Sequence, residues 1–138
     1  MNTNSNYMTL ATCLTLATLT TACSAERNAQ TVQEGPYSVS VATDPSPLQV
    51  GTAAHISARV SKNDQASADC QLRMRQFMPE HVMSDDHTWH EMDAKGKGRY
   101  TGQSGEFSMG GDWELEFELH CEQDTVAVRF PYHLEWPE

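Results

Sequence analysis

The feature that most constrains this chain is strict period-two alternation. Between residues 113 and 121, Trp113, Leu115, Phe117, Leu119 and Cys121 alternate with Glu114, Glu116, Glu118 and His120. Successive side chains of a strand point to opposite faces, so this run predicts a strand with one face on a core and one toward water. The same period recurs in Tyr37, Val39 and Val41, in Ala54, Ile56, Ala58 and Val60, in Cys70, Leu72 and Met74, and in Val126, Val128, Phe130 and Tyr132. Turn signals separate the runs: Asp44-Pro45-Ser46-Pro47, then Gly51, then Lys62-Asn63-Asp64. No segment after residue 36 carries a helical period. Several short strands at regular spacing predict an all-β fold, an antiparallel β-sandwich.

Ahead of these strands the chain reads as targeting and tether. Residues 8–19 form an uncharged run of signal-peptide length, too short to span a bilayer as a mature helix. Leu19-Thr20-Thr21-Ala22-Cys23 resembles the lipobox of bacterial lipoproteins, which implies removal of residues 1–22 and lipidation of Cys23. Two features depart from that pattern: no Lys or Arg precedes Met8, and Thr20 takes the place of the usual branched apolar residue. Ser24 after the cysteine implies outer-membrane sorting, on the periplasmic side of a bacterial envelope. Residues 23–36 are polar and aperiodic, with Val32 alone among branched aliphatic residues, and are expected to be a flexible linker. One domain is then expected over residues 37–138.

Nine Lys and Arg against nineteen Asp and Glu give a net charge of −10. That balance opposes binding to nucleic acid and to anionic membranes, and leaves the lipid anchor as the expected membrane contact. Cys70 and Cys121 both fall on apolar strand phases, and export places them where disulfides persist. Their pairing is expected, closing a loop of about fifty residues and stabilising the domain by roughly 3 to 4 kcal/mol. With Trp113 near in sequence, the arrangement resembles an immunoglobulin-like core. The competing use of the two thiolates as metal ligands requires a reducing environment.

The chemistry concentrates in residues 78–113. Met78, His81, Met83, His87, His90 and Met92 are candidate metal ligands. Thioether is a soft donor and imidazole a borderline one, a mixture that suits Cu(I) ahead of zinc. In an oxidising compartment Met has the advantage over Cys of not being consumed by disulfide formation. Asp85, Asp86 and Glu91 would attract the cation, and Trp89 would cover it. Met74 and Met109 are read as core fillers. His55, His120 and His133 are read as surface residues, and the row Glu114, Glu116 and Glu118 as a solvated strand face.

Several elements together carry a family resemblance. They are Pro47-Leu48-Gln49-Val50-Gly51, Met78-Pro79-Glu80-His81, Gly96-Lys97-Gly98-Arg99-Tyr100 and the run Phe107-Ser108-Met109-Gly110-Gly111-Asp112-Trp113-Glu114-Leu115. On these, residues 45–132 resemble the YtkA-like/FixH-like group of small exported bacterial domains. The resemblance implies an immunoglobulin-like β-sandwich and an association with copper handling or respiratory-oxidase assembly. After His81 the chain departs from the group's compact continuation, so the ligand set is read from its own residues.

No GxSxG, HExxH or phosphate loop is present, and no cysteine is expected to remain a free nucleophile, so an enzyme is not expected. Two functions compete. In the first, the Met/His loop binds copper for buffering or delivery. In the second, the same loop is an adaptable apolar surface that docks on an envelope or respiratory-complex partner without metal.

Overall fold

A computed structural model describes residues 28–67, 69–81 and 88–138. Among these residues ten strands occur and no helix: β1 (Gln30–Glu34), β2 (Tyr37–Asp44), β3 (Ala53–Lys62), β4 (Gln65–Ala66), β5 (Cys70–Phe77), β6 (His90–Glu91), β7 (Asp93–Gly96), β8 (Arg99–Glu106), β9 (Gly111–Cys121) and β10 (Asp124–Leu134). They form two antiparallel sheets. One has the order β1-β2-β3-β8-β7, with β4 also paired to β3, and the other the order β10-β9-β5-β6.

The apolar phases of the two sheets meet between them. Tyr37, Val39, Val41, Ile56 and Val60 come from the six-stranded sheet, and Leu72, Met74, Leu115, Phe117, Leu119 and Phe130 from the four-stranded one. Each such side chain contributes roughly 1.5–3 kcal/mol when fully removed from water. Phe117 and Phe130 pack edge to face, with centroids 5.5 Å apart. The all-β, antiparallel sandwich expected from the alternation is thus present.

Three features differ from expectation. Residues 30–34, expected as linker, form β1 and pair with β2 from Gln30↔Val41 to Glu34↔Tyr37. Val32 lies opposite Val39 and packs on the core, and the edge pairing satisfies backbone groups that a lone polar segment leaves to water. Second, the Cys70–Cys121 disulfide forms, but within one sheet: the two residues face each other across β5 and β9. It does not bridge the two layers as an immunoglobulin disulfide does. Trp113 packs edge to face on Phe107, with centroids 5.2 Å apart, and donates its indole N–H to the Met109 carbonyl.

Third, β8 has no apolar alternation, yet each of its inward groups is used. Tyr100 donates its hydroxyl to the Cys70 carbonyl at 2.7 Å in a buried position. The Ser104 hydroxyl accepts the Ala54 N–H at 2.8 Å, beside a register shift between Ala53 and His55. At Gly102, a Cβ would lie 2.5 Å from the Met92 sulfur.

Candidate functional site

Strand β5 ends at Phe77, and Pro79 two residues on has no N–H to continue a ladder. The chain turns back on itself there. Met78 and His81 form an antiparallel bridge, and the His81 N–H donates to the Met78 carbonyl at 3.2 Å. Met78 is buried, and its methyl lies 3.0 Å from where a Cβ on Gly111 would stand. Gly110 has a similar neighbour: a Cβ there would meet the Trp136 ring at 2.8 Å. Consecutive glycines therefore admit a thioether and an indole close to the backbone. Met109, directly before them, is half-buried. Met78, His81, Met109 and Trp136 thus gather at one end of the sandwich, with His81 exposed and Trp136 at 64% exposure.

His90 and Met92 lie elsewhere. His90 pairs opposite Met74, four residues before Met78, which at a strand rise of about 3.3 Å per residue is a separation of roughly 13 Å. Met92 marks the crossing from β6 in one sheet to β7 in the other. Its N–H donates to the Leu72 carbonyl at 2.9 Å, and its side chain is buried against Gly102. His90 instead lines an open cleft of about 530 Å³ with His55, Trp89, Glu91, Asp93 and Gln103. Among the described residues no group of three or more His, Cys, Asp or Glu is placed to hold a metal. Met83 and His87, with Asp85 and Asp86, lie outside the described residues. The six candidate ligands therefore divide into an adjoining pair, two residues further back, and two that are not described.

Trp89 has a different place from the one expected over a copper ion. Its ring lies under the guanidinium groups of Arg73 and Arg75, at 4.5 and 4.9 Å from the centroid. Both arginines belong to a network on the outer face of the four-stranded sheet. Arg73 donates through two nitrogens to Glu118, and Arg75 through two to Glu116, at 2.6–3.0 Å. Arg129 approaches Glu114 and Glu116 from β10. The glutamate row is thus not a plain solvated face, since Glu116 is buried at 7% exposure beneath its arginines. Burial alone would raise the Glu118 carboxyl, but hydrogen bonds from Arg73 and His120 outweigh it and hold it below the ordinary carboxylate range. His120 and His133 are exposed, as expected, and His133 is raised by its bond to Asp112.

Two residues of the Met78 end were not singled out from the sequence as site residues. Met109 reads as a filler because it precedes a strand, and Trp136 sits beyond the last alternating run. The signal that pointed to them was Gly110-Gly111, two adjacent positions without side chains, next to a strand whose other inward positions are large. In donor chemistry, two thioethers and an imidazole at one end fit a soft cation such as Cu(I).

These elements define a small two-sheet sandwich domain with a disulfide inside one sheet and a Met-lined end. The chain belongs to the YtkA-like family, whose model matches residues 31–118. No curated protein matches it. Among solved structures it is similar to a DUF4426 family protein from Pseudomonas aeruginosa at 12% identity, covering 80% of this chain and 97% of that one, with a TM-score of 0.48. A DUF4785 family protein from Legionella pneumophila is similar at 12% identity over 73% of this chain and 29% of that one, with a TM-score of 0.44.

Proposed function

We propose that this YtkA-like protein is a lipid-anchored accessory protein of the bacterial envelope that binds copper as Cu(I), without turnover, for buffering or delivery. The observation that supports it is the gathering of Met78, His81 and Met109 at one end of the sandwich, with Trp136 beside Gly110. Thioether and imidazole together favour Cu(I) over hard cations, and a nearby indole face can cover a cation. In this reading Met92 and Met74 serve the core. Cys23 supplies the anchor.

Anaerobic Cu(I) competition of the full chain against a chromophoric chelator tests the proposal, with His81→Ala and a Met78→Leu/Met109→Leu variant alongside. One equivalent bound by the parent and an affinity at least tenfold weaker in both variants is expected. Equal binding by parent and variants would contradict it. A second reading, docking on an envelope partner, would use Trp136, an indole exposed at 64% and of a residue type enriched at interfaces. A partner captured equally by metal-free protein, and lost in Trp136→Ala, would favour that reading instead.

A further inference from the structure

The described methionines differ in how far solvent reaches them. Met74 is at 0% exposure, Met78 at 5% and Met92 at 8%, whereas Met109, alone among the described methionines, is only half-buried against the core. Met74 takes an inward phase of β5, and Met92 fills the space over Gly102. Met109 instead lies between Phe107 and the start of β9 at Gly111, where no strand phase carries its side chain inward. Its backbone is fixed all the same. The Met109 carbonyl accepts the Trp113 indole N–H at 3.0 Å, and Trp113 packs edge to face on the fully buried Phe107. The fold thus holds this thioether at the surface of the Met-lined end.

A thioether reacts with hydrogen peroxide by direct oxygen transfer. The sulfur lone pair attacks one peroxide oxygen, an S–O bond forms as the O–O bond breaks, and the departing hydroxide takes the remaining proton as water. Sulfur is oxidised by two electrons and the peroxide is reduced by two. The oxidant must touch the sulfur, so a buried thioether reacts only through local opening of the sandwich, while a half-buried one reacts in the native state. The product is a different ligand. A sulfoxide is polar and presents a hard oxygen to a cation that prefers sulfur.

We propose that Met109 is a modification site at which peroxide forms methionine sulfoxide, and that this oxidation disconnects the Met-lined end from Cu(I) while Met78 stays reduced. The second half rests on the copper reading, and the first does not. Methionine sulfoxide reductases return the sulfoxide to the thioether, so the change is reversible.

Treatment of the purified full chain with hydrogen peroxide, followed by disulfide reduction, trypsin digestion and mass mapping, tests the site. Met109 is the one methionine between Arg99 and Arg129, Met74 stands alone between Arg73 and Arg75, and fragmentation separates Met78 from Met92 in the peptide ending at Lys95. Met109 should gain its oxygen about tenfold or more faster than Met74, Met78 and Met92 in the native protein, with the four rates converging in urea. Equal rates in the native protein, faster oxidation of Met78, or an order that persists in urea would overturn the site. Anaerobic Cu(I) competition is then run on Met83→Leu protein before oxidation, after it, and after treatment with methionine sulfoxide reductase. Affinity weakened about tenfold or more by oxidation and regained on reduction is the expected result. Unchanged affinity with Met109 fully oxidised would overturn the disconnection. Untreated protein that binds no Cu(I) would retire the copper reading and the disconnection with it, while the mapping still decides the oxidation site.

Discussion

Met78 with His81 and His90 with Met92 are similar pairs in sequence, and they differ in what surrounds them. Met78 and His81 close a turn at the end of β5, beside Gly110-Gly111 and near Met109, where the chain has an exposed imidazole and an exposed indole. His90 and Met92 occupy the crossing between sheets, with Met92 filling the core against Gly102 and His90 turned toward a cleft shared with Glu91 and Asp93. The comparison teaches that a thioether in a Met/His-rich stretch takes its role from where in the sandwich it is buried. Both methionines are buried against a glycine, Met92 on Gly102 inside the sandwich and Met78 on Gly111 at its end, where Met109 and His81 are near in the chain.

The largest expected effect is on stability. Met92→Ala removes a buried side chain at the crossing and should cost about 2–4 kcal/mol in urea unfolding, while Cu(I) affinity per folded molecule stays unchanged. Loss of copper from the folded variant would join the two pairs into one site. Trp89→Ala should cost about 1–2 kcal/mol, from two arginine contacts each worth roughly 0.5–1 kcal/mol, again with no change in copper affinity. A copper defect in that variant would restore Trp89 as a cover for the ion.

Met78→Leu conserves volume and should change stability by about 1 kcal/mol or less, yet weaken Cu(I) binding at least tenfold in chelator competition. His81→Ala, at an exposed position, should stay within about 0.5 kcal/mol of the parent and lose copper to a similar degree. The smallest effect is a titration. Glu118 is depressed in the folded protein, so its contribution is present above its unfolded pKa and is lost as pH falls through the lower folded value. Arg73→Gln should move the Glu118 carbon resonance midpoint upward in NMR titration. An unmoved midpoint would detach Glu118 from the network under Trp89.

Most of the sandwich was legible because large apolar residues alternate in β2, β3, β5, β9 and β10. Strand β8 was not, since its inward groups act through a hydroxyl to Cys70, a missing side chain under Met92 and a hydroxyl to Ala54. Strand β1 was hidden because an edge strand gains most from backbone pairing and only Val32 reports the core. The buried state of Glu116 was equally hidden, because it depends on arginines from β5 and β10 that only register brings together. At the site, period-two phase marks which side a methionine takes, but not whether a glycine faces it across the sheet. Met92 meets Gly102 inside the sandwich and Met78 meets Gly111 at its end, a difference of place that phase alone does not carry.

The measurement that tests the central claim most directly is carbon-13 methionine-methyl NMR of the full chain, titrated anaerobically with Cu(I) to one equivalent. Of the chain's seven methionines, five lie after Cys23, each giving its own methyl signal. The account predicts that the Met78 and Met109 methyls shift together and saturate at one equivalent, while those of Met74 and Met92 stay in place. A shift of Met92, or no shift at Met78 and Met109, would contradict it.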